Sequence, residues 1–235
     1  MNACRPESVI ARGFSLVELM VALAITMALS TGMLSMLMST RINNSAQSQL
    51  EQLQEDQRLL LTRLTDAVQN AGYFPNPQTS TLAAELPATG SFSVAGQGLV
   101  GTSASSGDTL VVRYEAGTTD GVMDCSGKTN TGTSPLVMVN TFSLDSSGFL
   151  DCTVNGVTTP LAGGVKSFTV LYGVDTSASG ASTQYIAASA MTAANWANIY
   201  SVRVTLTFLN PLAGQAGQPA ALPALTQVIP VLNLL

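Results

Sequence analysis

No charged residue occurs between Leu19 and Thr40. A helix rises 1.5 Å per residue, so these 22 residues span about 33 Å, enough to cross a hydrocarbon core of about 30 Å. The apolar run itself begins at Phe14 and contains one acid, Glu18. A carboxylate within a membrane helix costs on the order of 2.5–3.5 kcal/mol and needs a partner. The preceding leader, MNACRPESVIARG, carries Arg5 and Arg12, which keep it cytoplasmic and send the following chain across the membrane. An ordinary secretory signal is cut after its apolar region. Here the polar-to-apolar break falls before that region, at Gly13-Phe14, so cleavage there leaves the helix on the mature chain.

The rest of the sequence is unlike this segment, which predicts a long N-terminal element followed by one globular domain. Charged residues make up only 10 % of the chain, against roughly 25 % in an average soluble protein. Ser, Thr, Gly and Asn replace them, a surface type of exported β-rich proteins. The net charge is −5 and no basic cluster occurs, which argues against direct nucleic-acid contact, where affinity comes mostly from Lys and Arg on phosphates. There is no histidine, so the commonest general base and metal ligand are both missing. No GxSxG, P-loop or Ser-His-Asp triad is present. GQGLVG (96–101) lacks a strand–Gly–helix context and reads as a turn. Trp196 and Tyr200 read as core packing before they read as a contact surface. The expectation is a protein without catalysis, cofactor or metal.

Beyond Arg41 the chain turns polar but keeps a helical period. Leu50, Leu53, Leu60, Leu64 and Ala67 form a stripe widened by Leu61, Val68 and Ala71 and interrupted by Gln57. Gly72, Pro75 and Pro77 then stop the helix. The stripe reads as the face that packs on the protein's own sheet. Ser30-Thr31-Gly32 is the weakest stretch of this helix by propensity. From about residue 78 the segments 108–116, 135–144, 165–174 and 199–209 read as strands. The last alternates, with Val202, Val204, Leu206 and Phe208 on one face and Arg203, Thr205 and Thr207 on the other. A helix followed by antiparallel strands gives the α+β class.

Gly13, Phe14 and Glu18, in the run GFSLVELMVALAI, resemble the class III leader and first helix of type IV pilins and type II secretion pseudopilins. The resemblance implies cleavage after Gly13 by a prepilin peptidase and N-methylation of Phe14. It also gives Glu18 a partner, the new amine of Phe14, within one subunit or between neighbours. Between neighbours such a pair sets axial register, because misalignment strands both charges. The implied organisation is a leader at 1–13, a transmembrane or filament-core helix at 14–41, its amphipathic continuation at 42–74 and a periplasmic β-rich domain at 75–235. Cleavage removes Cys4; a lipobox is the alternative use of that residue, but no apolar stretch precedes it. Cys125 and Cys152 then lie on the exported side, where oxidation is permitted, and are expected to pair. Closing a loop of about 28 residues contributes roughly 3–4 kcal/mol in the chain-entropy model.

Further features resemble the PilW group of minor pilins: AGYFPNP after the helix, DTLVVRYEA, the two cysteines framing LVMVNTFSL, and the stretch from VKSFTVLYGV to VRVTLTFLN. The resemblance implies a pilin-like fold, a long helix packed on an antiparallel sheet. It implies a place in a minor-pilin complex that primes pilus assembly at the tip, supporting adhesion, twitching motility or DNA uptake. The implied partners are other minor pilins, the major pilin, the inner-membrane assembly platform and a tip adhesin. The chain would be a single-pass inner-membrane protein before assembly and part of the cell-surface pilus after it. The rival readings are a J-type pseudopilin of type II secretion and a membrane-anchored periplasmic binding module. The loop DTSASG has one acid, Asp175, before Gln184, too few carboxylates for a calcium site, so a hairpin turn is expected there.

Overall fold

The computed structural model describes residues 13, 15–215 and 217–233. Most of the expected leader, Cys4 included, and Phe14 lie outside the described residues. Two compact units are present, Met1–Gln49 and Leu50–Leu235. One helix, α1 (Leu16–Gln69), contributes to both and continues without interruption through Ser30-Thr31-Gly32.

In the second unit α1 supplies Leu60, Leu64, Ala67 and Val68 to the core, the stripe foreseen from its period. The helix gives way to a turn after Gln69, where Gly72 adopts a left-handed φ of 76°. Near the C-terminus, the Asn233 side-chain amide donates to the Gln69 carbonyl at 3.1 Å and satisfies one of the orphan acceptors of the helix end.

Among the described residues nine antiparallel strands follow, arranged in two sheets. The first is a meander of β1 (Leu99–Thr102), β2 (Thr109–Ala116), β3 (Leu136–Leu144), β4 (Leu150–Val154) and β5 (Val157–Ala162). The second contains β6 (Val165–Val174), β7 (Gln184–Ala187), β8 (Ile199–Phe208) and β9 (Leu225–Pro230), in the order β7-β6-β8-β9. Along β8, Val202, Val204, Leu206 and Phe208 are buried while Arg203, Thr205 and Thr207 are half-exposed, as the alternation requires. Asn155 and Gly156 join β4 to β5 with φ of 50° and 79°, both positive as a type I′ hairpin demands. The inner faces of both sheets and α1 share one core, in which Leu110, Phe142, Leu150, Phe168 and Leu206 are fully or almost fully buried.

Two polar side chains tie this unit together. Strand β7 covers only the end of β6, from Leu171 to Val174. The Phe168 carbonyl therefore accepts from the Asp108 amide at 3.0 Å, and the Val170 amide donates to Asp108 Oδ2 at 2.8 Å. One residue at the entrance of β2 thus completes the exposed ladder of the other sheet. On the outer side of β2, Arg113 is fully buried under the segment 86–98. Its guanidinium donates to the carbonyls of Leu86 (3.2 Å), Pro87 (2.7 Å) and Gln97 (2.8 and 3.2 Å) and lies 4.2 Å from the Phe92 ring centroid. Burial lowers the Arg113 pKa from its ordinary value, yet a guanidinium at this starting point stays charged.

Where this segment meets the helix end, backbone touches backbone. A Cβ on Gly98 would lie 2.4 Å from the Gly72 nitrogen and 2.9 Å from the Ala71 carbonyl carbon. No side chain can rotate away to make room, so Gly98→Ala is expected to lower stability by about 2 kcal/mol. Chemical denaturation checks this; a variant as stable as the native chain would show that the contact relaxes freely.

Candidate functional site

The first unit holds the candidate site. From Leu16 to Ile42 its large apolar side chains are exposed, Leu16 by 75 % and Met36 by 74 %. Such a surface is incompatible with water unless lipid or protein covers it. Its three threonine hydroxyls are internally satisfied. Thr26 donates to the Ala22 carbonyl (2.6 Å), Thr31 to Met27 (2.6 Å) and Thr40 to Met36 (2.9 Å). Each bond spans one turn and removes a donor that lipid could not satisfy.

Glu18 stands in the first helical turn, where the helix dipole favours an anion. Among the described residues the only ion pair is Arg58–Glu55 at 2.6 Å, so Glu18 has no cation beside it there. Gly13 is exposed, with nothing within 4 Å of the place a Cβ would occupy. Phe14 cannot be placed against Glu18 because it lies outside the described residues. Glu18 thus lies in the first turn of an accessible helix and Gly13 is exposed ahead of it, whereas Cys125 and Cys152 lie in the other unit.

There Cys125 and Cys152 form a disulfide with a Cα–Cα distance of 6.0 Å. It pins the β2–β3 loop to β4. Beside it is a cavity of about 350 Å³ lined by Arg63, Asp66, Asn70, Asp120, Asp124 and Cys125. Two of its three carboxylates serve the loop itself. Asp120 accepts from the amides of Gly117 (2.6 Å) and Val122 (3.1 Å). Asp124 Oδ1 accepts from the Ser126 amide (2.8 Å), the Ser126 hydroxyl (2.7 Å) and the Lys128 amide (3.0 Å). Among the described residues no three His, Cys, Asp or Glu side chains converge as a metal site would require. In the β6–β7 loop Asp175 likewise accepts from the amides of Ser177 (2.9 Å) and Gly180 (2.7 Å), closing a turn. Trp196 packs edge-on against Tyr172, with centroids 4.8 Å apart.

The family model for the prokaryotic N-terminal methylation motif matches residues 10–34, and the model for type IV pilus-assembly protein W (PilW) matches residues 128–221. Over these two stretches the chain resembles PilW-type type IV pilus proteins. Its fold is α+β, a long N-terminal helix with antiparallel sheets. No curated protein matches it. Among solved structures, a type IV-like pilin from Thermus thermophilus is similar at 15 % identity, over 78 % of this chain and 98 % of that one, with a TM-score of 0.45. The methylation motif overlaps the exposed apolar helix, which is long and apolar enough to cross a membrane. The PilW match spans β3 to the β8–β9 loop and includes Cys152 but not Cys125. Neither Asp108 nor Arg113 was singled out from the sequence; the one available signal was a charge inside an otherwise apolar strand pattern.

Proposed function

We propose that this chain is a minor pilin cut after Gly13, N-methylated at Phe14 and anchored through residues 14–41. Residues 42–74 continue the helix, and the domain from 75 to 235 faces the periplasm before assembly. In this reading Glu18 meets the amine of Phe14, on its own chain or a neighbour, and fixes the axial register of packed helices. The chain then joins other minor pilins that prime filament assembly at the tip, on the inner-membrane platform and ahead of the major pilin. Adhesion, twitching motility and DNA uptake are the activities such a tip would support, with a tip adhesin as partner. No catalytic step is assigned to the protein.

One observation carries this reading: the methylation motif coincides with an exposed apolar helix that has a single acid in its first turn. Mass spectrometry of the native protein tests it. The expected N-terminus is methylated Phe14; a chain that still begins at Met1 would overturn the assignment. Glu18→Ala is expected to stay in the membrane but to enter filaments about ten-fold less, since the amine of Phe14 would lose its counter-charge. Immunoblots of sheared filaments and membranes give that ratio, and an unchanged ratio removes the register role.

A further inference from the structure

The inner face of the second sheet belongs to the core, and its outer face carries a polar cluster built around a missing side chain. Gly173 on β6 stands between Tyr185 on β7 and Ser201 on β8. A Cβ on Gly173 would lie 2.3 Å from Ser201 Oγ and 2.6 Å from Ser182 Oγ, so these two hydroxyls occupy the space it leaves. They are hydrogen-bonded to each other at 2.7 Å, and Ser201 Oγ is hydrogen-bonded to the Tyr185 hydroxyl at 3.1 Å. The Tyr185 ring is thereby held across β6. On it stacks the Arg203 guanidinium of β8, 4.3 Å from the ring centroid.

Stacking covers one face of the guanidinium and leaves its edge, with the N–H donors, open to approach in the plane. Among the described residues no carboxylate lies within 4.0 Å of Arg203. This part of the chain has none to spare. Beyond Asp151 the sequence contains one acid, Asp175, whose two oxygens are taken by the amides of Ser177 (2.9 Å) and Gly180 (2.7 Å). The cross-strand neighbours of Arg203 are apolar: Leu171 on β6 is half-buried, and Val228 on β9 is 50 % exposed. A pinned arginine beside a tyrosine and between accessible apolar groups has the composition of an interface centre.

We propose that Arg203, held flat on Tyr185, receives one carboxylate from a different protein subunit that packs over Leu171 and Val228. Charge identifies the partner's chemistry. The strands of this sheet contain two cations, Lys166 and Arg203, and no acid, within a chain of net charge −5. A lipid surface or a nucleic acid needs a cluster of basic residues and is repelled by the remaining acids. A second copy of this chain carries the same −5 and is repelled in the same way. A lone dissolved anion would leave Leu171 and Val228 in water. A protein face with one Asp or Glu among neutral residues meets both demands. Its two carboxylate oxygens match the planar fork, and covering the apolar flanks lowers the local dielectric and strengthens the pair. The minor-pilin reading supplies neighbours of this kind, and the inference rests on it only for which subunit that neighbour is.

The test uses the full-length chain in the cells that produce it. A photoreactive p-benzoylphenylalanine replaces exposed Thr169, one cross-strand row from Arg203, and, as a control on the first sheet, exposed Thr158. The Thr169 variant is expected to capture a different protein, identified by mass spectrometry, at a segment containing Asp or Glu. The Thr158 variant is not expected to capture it. Adding Arg203→Glu is expected to cut the Thr169 product about ten-fold with the thermal melt unchanged, and changing the captured segment's acid to Arg is expected to restore it. That rescue separates an ion pair from a structural role for Arg203. If Arg203→Glu lowers the melt, Arg203→Gln decides by the same loss of product. Native yield with the charge removed, failure of the reversed pair to restore it, equal capture from both positions, a dimer of this chain, or no product would overturn the proposal. If the native N-terminus is still Met1, the functional reading has failed, and a charge-dependent, rescued Thr169 product still upholds the site. With methylated Phe14 and no such product, this inference alone fails.

Discussion

Replacing both cysteines, Cys125→Ser with Cys152→Ser, is expected to lower the stability of the globular unit by about 3–4 kcal/mol. The bridge joins residues 27 apart, and losing it returns loop freedom to the unfolded chain. The folded loop has other anchors. The Cys125 amide donates to Asn140 Oδ1 at 2.7 Å, and the Tyr114 hydroxyl donates to the Met123 carbonyl. Burial pushes the Tyr114 pKa well above the ordinary phenol value, so that donor persists at any physiological pH. The Asn130 amide reaches the carbonyls of Ala116 (3.0 Å) and Ser134 (2.8 Å). The double variant should therefore fold to the same structure, with its urea midpoint much lower. Trp196 fluorescence follows this transition; an unchanged midpoint would mean that the unfolded chain is already restrained in this loop.

Arg113→Ala is expected to cost about 3–4 kcal/mol and to release the segment 86–98 from β2. Three carbonyls lose charge-assisted donors at once, and a cavity opens beside Phe92. Arg113→Lys should recover little. An ammonium cannot reach Leu86, Pro87 and Gln97 from one point, nor lie flat on the Phe92 ring. Hydrogen exchange separates this from general destabilisation. Amides of residues 86–98 should lose protection well before those of β6 and β8, and a uniform loss would argue against a local clamp.

Arg113 also marks where the sequence stopped being readable. In DTLVVRYEA it looks like the solvent-facing member of an alternating strand, and its position does point away from the main core. What buries it is a stretch, 86–98, with no helical or strand period of its own. Such a cover follows from contacts distant in sequence, which periodicity does not encode. Four strands were legible because each is long and rich in Val, Thr, Phe or Tyr. Strands β1, β4, β5, β7 and β9 were not, being four to six residues long. Asn155-Gly156 was the strongest hairpin signal in the chain and would have located β4 and β5. Of the candidate site, the position of Glu18 in an apolar helix was evident from composition alone. The sharing of Asp108 between sheets depends on the length difference between β6 and β7, which only the folded chain reveals.

The three threonines of the apolar helix have a consequence for its travel between surroundings. Each of these three hydroxyls carries its own acceptor one turn away, so the threonines ask nothing polar of whatever encloses them. Leaving acyl chains for the flanks of other helices would break no hydrogen bond made by these groups and require no new one. For these three side chains only the fit against their surroundings changes.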